Sequence, residues 1–157
     1  YGVAGTIGCL LSPIIGVRNT KAKHFAINLG IAMQITNIVR DVYEDAQRNR
    51  IYIPSSYFKD IPTCSEILST DHIASDIINA KKLLIKRAEY HYKVAWKGLK
   101  YMPFKNRIII AWAGLMYREI GCIILKDQNK FYKKRAVVTT GKKLALIVPA
   151  IFKAFIS

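Results

Sequence analysis

The chain has 157 residues, enough for one domain with a real core. At 52% hydrophobic residues with 9 glycines and 5 prolines, it is neither disordered nor fibrous. Its 3 cysteines, Cys9, Cys64 and Cys122, are odd in number and widely spaced, which argues against a disulfide framework or a zinc site and fits a reducing compartment. The formal charge of +15 is spread along several segments with no recognition motif. It therefore speaks for an anionic small molecule and an anionic membrane surface rather than nucleic acid.

Taken in order, the chain opens without Met on a small-residue apolar run, Tyr1 to Gly16, read as a helix entered part-way, as in a piece of a longer protein. Ala4, Gly5 and Gly8 allow close approach of a neighbour or an apolar ligand, and Ser12-Pro13 should kink or end the helix. Gly16 to Thr20 predicts a turn, with Asn19 or Thr20 capping the next helix. That helix is expected from about Lys21 to Ala46, and its middle, Phe25 to Val39, is apolar on nearly all sides, as in the central helix of a bundle. Arg48 to Asp60 reads as an exit loop with a single turn over Ser55 to Phe58, and Ile61 to Ser69 shows little pattern.

Asp71 is placed to cap a long helix reaching about Tyr101. Ile73, Ile77, Ala80, Leu84, Ala88, His91, Ala95 and Leu99 recur on its inner side. Lys81, Lys82, Lys86, Arg87, Lys93, Lys97 and Lys100 fall on faces read as solvated, and His91 reads as a core histidine. Pro103 breaks the chain before a helix from about Lys105 to Lys126, where Arg118 and Glu119 near the middle favour a bundle helix over a membrane span. The tail, Leu144 to Ser157, is too short to span and holds Pro149 and Lys153. It either packs on the bundle or lies at a membrane interface.

The chemistry concentrates in LGIAMQITNIVRDVYEDAQRNRIYIP, Leu29 to Pro54. At about 100° per residue, Gln34, Asn37, Asp41 and Asp45 fall within an arc of roughly 80°. Ile27, Gly30 and Ile31 precede them on the same stripe, so the carboxylates extend an apolar face. Two acids four residues apart repel on a bare helix unless a cation sits between them. Mg²⁺ fits, because it takes a few carboxylates, water and substrate phosphate oxygens. Asn37 and Gln34 can add amide oxygens, and Arg40, Arg48 and Arg50 can meet the remaining charge of a diphosphate.

QITNIVRDVYEDAQRNRIYIP resembles the second aspartate-rich motif of the squalene/phytoene synthase family, Q-x-x-N-I-x-R-D-V-x-E-D followed by R-x-Y-x-P. Gln34, Asn37, Ile38, Arg40, Asp41, Val42, Glu44, Asp45, Arg50, Tyr52 and Pro54 meet every fixed position. YGVAGTIG, Tyr1 to Gly8, resembles the family's Y-C-x-x-V-A-G-T-V-G segment, although Tyr1 falls two positions after that segment's catalytic tyrosine. Phe131 to Lys143 resembles a basic segment late in the family's fold, where Arg135 matches an arginine that reaches the diphosphate.

The resemblance implies an all-α fold, the C-terminal half of the isoprenoid-synthase helical bundle, with residues 1–157 forming a partial domain whose first aspartate motif lies elsewhere. It implies head-to-head condensation of two prenyl diphosphates through a cyclopropyl intermediate, with Asp41, Asp45 and Asn37 on Mg²⁺. Asp41, Asp45, Arg40 and Tyr117 are the implied catalytic residues, and Gln34, Asn37, Arg50, Tyr52 and Arg135 the implied diphosphate side of the substrate site. Val3, Gly8, Ala26 and Gly30 are the expected walls for the prenyl tail, with Ala4 and Ile27 beside them. Two geranylgeranyl diphosphates giving phytoene is the favoured reading. Two farnesyl diphosphates giving squalene or dehydrosqualene is the alternative, with NADPH only for squalene. A non-catalytic assembly factor of the same fold is the alternative from another class, and the intact Asp41/Asp45 pair speaks against it. The expected location is cytoplasmic and peripheral to a membrane, or plastidic in a plant or alga, and the 157 residues alone are expected to be inactive.

Overall fold

A helix that is apolar all round needs neighbours on every side, and the segment around Phe25 to Val39 obtains them. The computed structural model describes residues 2–17, 19–69, 74–127 and 133–157. In it the central helix α2 (Lys23–Arg40) packs against α1 (Ala4–Ile14), α5 (Ala74–Trp96) and α6 (Phe104–Lys126). Four shorter helices complete the set: α3 (Val42–Gln47), α4 (Cys64–Ser69), α7 (Thr140–Ala145) and α8 (Ile147–Phe155). No strand occurs among the described residues, in keeping with an all-α bundle.

The larger core forms where α5 crosses α2. Ala32 and Val39 of α2 meet a stripe of α5 that includes Ile77, Ala80, Leu84, Ala88 and Tyr92, all buried. The Tyr92 hydroxyl shares a 3.1 Å hydrogen bond with Thr36, and its ring stacks on Trp96 at 5.8 Å. His91 is hydrogen-bonded but only partly buried, at the edge of the core rather than in it: its Nδ1 lies 2.7 Å from Asn28 Oδ1, and Asn28 Nδ2 donates to the His24 carbonyl. Asp71, Ile73 and the first two residues of the Phe131 to Lys143 segment lie outside the described residues, as does Tyr1.

Several expectations need correction. The helix expected from Lys21 to Ala46 is divided: a 3-10 turn, Thr20–Ala22, precedes α2, with Asn19 accepting from the Lys21 amide, and the helix breaks at Asp41. The break is mild. Asp41 N still donates to the Asn37 carbonyl and Asp45 N to the Asp41 carbonyl, at 2.9 and 2.8 Å, so the polar stripe continues through the bend. α3 then ends in a Schellman motif, with Asn49 at φ 56° bonding back to Ala46 and Arg50 to Asp45. Ile61 to Ser69 is not patternless, because Thr63 and Glu66 form a capping box that starts α4.

α5 stops at Trp96 rather than near Tyr101, since Gly98 lies against the Phe25 side chain and a 3-10 turn, Leu99–Tyr101, leads to Pro103. Lys81 is not on a solvated face. It stands one turn after Ile77 and one turn before Ile85, on the inner stripe, and is only 4% exposed. α6 is the bundle helix expected: among the described residues it is the one helix long and apolar enough to cross a membrane, yet it packs on α2, α5 and α8 and buries Ala111, Gly114 and Leu115.

Candidate active site

The site is built on the α1–α2 seam. A Cβ on Gly8 would stand 2.4 Å from the Ala26 carbonyl oxygen, and one on Gly30 would stand 2.1 Å from that of Ala4. Each helix thus places a glycine against the other's backbone, so the room beside Gly30 is taken first by α1. Where the seam opens toward α6 and the end of α5, a cavity of about 370 Å³ remains. That is a common size for a small-molecule site. Gly8, Ala26, Leu29, Gly30 and Met33 form one wall, Ile110 and Ala113 another, and Phe25, Gly98 and Met102 close one end. The polar groups on the lining are Gln34, Asn37 and Tyr117, with the Trp96 indole.

The acidic residues follow the polar lining past the end of α2, Asp41 at the bend and Asp45 on α3. Asn37 Oδ1 is buried without a hydrogen-bond partner. One turn on, Asp41 is gripped by two guanidinium groups. Arg40 Nε and Nη2 donate to its two oxygens at 2.7 and 2.6 Å, and Arg135 Nε donates to Oδ1 at 3.0 Å. Burial pushes the Asp41 carboxyl up, but Arg40 and Arg135 outweigh it and hold the group below the ordinary carboxylate range. Asp45 goes the other way: burial and the neighbouring Asp41 charge hold it above that range. The pair is therefore an uneven one, with a charged acid beside a reluctant one.

Of the residues singled out in the sequence, Gln34, Asn37, Gly8, Ala26, Gly30 and Tyr117 line the cavity, and Arg40, Asp41 and Arg135 form one linked group. Val3 does not join them. It is 69% exposed before the first turn of α1 and is absent from the lining, because the side chains that face α2 begin at Ala4. Arg50 and Tyr52 are exposed on the loop after α3 and are also absent from the cavity wall. No group of three or more His, Cys, Asp or Glu side chains gathers at metal-ligand spacing among the described residues.

Lys81 is the charged residue that the spacing argument missed, though its i+4 distance from Ile77 and i−4 distance from Ile85 would have found it. Burial pushes its ammonium down to about 8, against the pull of Glu44 and Asp41. The sign follows directly. Between that value and the ordinary lysine range the unfolded chain holds the proton and the folded chain does not, so stability rises with pH there. In urea unfolding, the chain should gain about 2–3 kcal/mol between roughly pH 7 and pH 10 relative to Lys81→Met. Parallel profiles for the two proteins would contradict this.

Comparison with known proteins decides the family. The family model for squalene/phytoene synthase matches residues 1–142. The chain belongs to the squalene/phytoene synthase family. Among curated members of that family, it is 33% identical over 150 residues to the 15-cis-phytoene synthase of Enterobacter agglomerans, covering 96% of this chain and 51% of that one. It is 35% identical over 164 residues to the chloroplastic phytoene synthase 1 of Zea mays, covering 99% of this chain and 40% of that protein. The solved structure of a dehydrosqualene synthase in complex with ligand superposes with a TM-score of 0.80 at 28% identity, covering 99% of this chain and 54% of that one. The chain thus spans about half the length of the bacterial relatives it matches.

Proposed function

We propose that the complete protein joins two prenyl diphosphates head to head with release of diphosphate, and that its substrates are two geranylgeranyl diphosphates giving phytoene. The observation that carries the reading is Asn37 Oδ1, buried and unpartnered one turn from Asp41 at the polar part of an apolar cavity. A buried oxygen without a donor is costly, and a hard cation or its bound water would satisfy it. The donor set suits Mg²⁺: Asp41, Asp45 and Asn37 offer hard oxygens from successive turns, few enough to leave room for water and phosphate. When bound, Mg²⁺ supplies positive charge to the departing diphosphate.

The chain's own residues do the rest. Arg40 and Arg135, already converged on Asp41, offer further N–H donors to diphosphate oxygens. The Gly8, Ala26, Gly30 and Ile110 walls keep water from the cationic carbon that remains. Tyr117 brings a phenol to the cavity lining, within electrostatic reach of Arg40. The names of the relatives support the twenty-carbon substrate, while the dehydrosqualene synthase neighbour keeps the fifteen-carbon alternative in view. Because both substrates carry isoprenoid tails, the reading includes a peripheral position on a membrane, in the cytoplasm or, in a plant or alga, the plastid.

The test is product analysis of the complete protein with Mg²⁺ and each diphosphate in turn. A forty-carbon hydrocarbon from geranylgeranyl diphosphate is expected. A thirty-carbon product from farnesyl diphosphate alone would select the alternative, with NADPH dependence marking squalene. No product from either would overturn the reading and favour a non-catalytic role.

A further inference from the structure

One oxygen of Asp41 has no room left for a cation. Arg40 Nε and Arg135 Nε both donate to Oδ1, at 2.7 and 3.0 Å, and Arg40 Nη2 donates to Oδ2 at 2.6 Å. An ionised carboxylate offers about two lone-pair sites per oxygen. Oδ1 is therefore saturated, and Oδ2 keeps one site. A divalent cation approaching Asp41 also meets two guanidinium charges already seated on it.

The two arginines are not equally held. Arg40 grips both oxygens in a fork, and its side chain is only 15% exposed. Bidentate pairing of this kind is the strong form. Arg135 bonds through Nε alone, its side chain is 53% exposed, and its Nη groups bond no acceptor among the described residues. A single exposed ion pair holds weakly. The backbone beneath it does not share that freedom. Ala136 and Val138 are buried in the larger core, Lys142 pairs with Glu119 at 3.3 Å, and the Lys143 carbonyl accepts from Trp112 Nε1 at 2.7 Å. Arg135 is thus a loosely held side chain on a fixed backbone, able to leave Asp41 by rotating about its own bonds.

We infer that Arg135 is an exchangeable guanidinium, passing from Asp41 Oδ1 to a diphosphate oxygen and so opening Oδ1 to the divalent cation. The inference rests on the proposed diphosphate and Mg²⁺ reading, and adds that the two ligands bind as a coupled pair. Departure of Arg135 from Asp41 improves the cation's site. By the reciprocity of linkage, a filled cation site frees Arg135 for diphosphate. Arg40 stays throughout and keeps Asp41 in place. Arg135 is in this respect a positioning residue, because its effect on the cation runs through Asp41.

The experiment is calorimetric titration of the complete protein with Mg²⁺ alone. Arg135→Gln should bind Mg²⁺ roughly fivefold to tenfold more tightly than the parent, since Oδ1 is open and one opposing charge is gone. A residue that only contacts diphosphate would leave this affinity unchanged, and one that only shapes the site would lower it. Either result would overturn the inference. Lys134→Gln removes an equal charge from an exposed neighbour that has no bond to Asp41, and should stay within about twofold of the parent. Equal tightening in that variant would also overturn the inference, by reducing the effect to net charge.

A second arm reads the binding of geranylgeranyl thiolodiphosphate by tryptophan fluorescence, with and without Mg²⁺. Association of Mg²⁺ with this probe in solution is common to all the proteins and cancels in the comparison. Mg²⁺ should tighten binding less in Arg135→Gln than in the parent, by the factor that the first arm measures. An equal effect of Mg²⁺ in both proteins would overturn the inference. Product formation by the parent beside any of these failures leaves the proposed reaction standing. Absence of Mg²⁺ binding by parent and variants, with or without the probe, would overturn the inference together with the metal reading.

Discussion

Asp41→Asn in the complete protein should lower turnover by roughly a thousandfold while leaving the helical fold intact. Asp41 is the meeting point of the site. Three N–H groups from Arg40 and Arg135 converge on its two oxygens, and it stands one turn beyond the unpartnered Asn37 Oδ1. An amide there keeps the shape but removes the charge. It also turns one acceptor into a donor facing a guanidinium 2.6–3.0 Å away. Both arginines then lose their counter-charge, and the hard ligand proposed for Mg²⁺ is weakened.

Stability should fall by about 1–3 kcal/mol, because one partner of a charge-assisted hydrogen bond has gone. The side chain retains 21% exposure, so water can recover part of that loss. Asp45→Asn should act in the same direction on turnover with less effect on stability, since neither guanidinium group is bound to Asp45. Steady-state product formation, thermal melting and a Mg²⁺ titration of activity separate these effects. Undiminished turnover in Asp41→Asn would remove the metal role from this pair.

How far the sequence speaks depends on how far apart the interacting residues lie. Asn37, Asp41 and Asp45 are related by helical turns, so their common stripe is visible in the spacing, and a mild bend at Asp41 does not erase it. Arg135 is different. It reaches Asp41 across 94 positions, a contact no local pattern encodes, and only the resemblance pointed to it. The Thr63/Glu66 capping box and the Asn49 turn were legible in principle, because both are local signals with known chemistry, but a short apolar segment between loops masked them.

Lys81 shows the opposite fault. Its residue type suggested solvent, yet its position on the Ile77–Ile85 stripe decided its burial. Val3 shows the limit of motif matching. Its segment resembles the family's, but the wall of the cavity begins one residue later, where α1 first faces α2.

Gly30→Ala should be strongly destabilising. The new carbon would be placed 2.1 Å from the Ala4 carbonyl oxygen and 2.8 Å from its carbon, and both belong to backbone that cannot rotate away. Relief requires α1 and α2 to part by an ångström or more along the seam, where a Cβ on Gly8 would likewise stand 2.4 Å from the Ala26 carbonyl oxygen. The gain in helix propensity, up to about 1 kcal/mol for alanine over glycine, is small beside overpacking at a helix crossing, which typically costs 1–3 kcal/mol or more. A net loss of about 2–3 kcal/mol is therefore expected, along with distortion of the cavity wall that Gly30 shares. Gly141→Ala is the control, because a Cβ there meets nothing within 4 Å and the residue lies in the exposed helix α7. It should be neutral or stabilising by up to about 1 kcal/mol. Urea unfolding of the two variants beside the parent reads both values. Equal stability of all three would mean that the α1–α2 seam is looser than its backbone contacts require, and the cavity built on it would have no fixed wall.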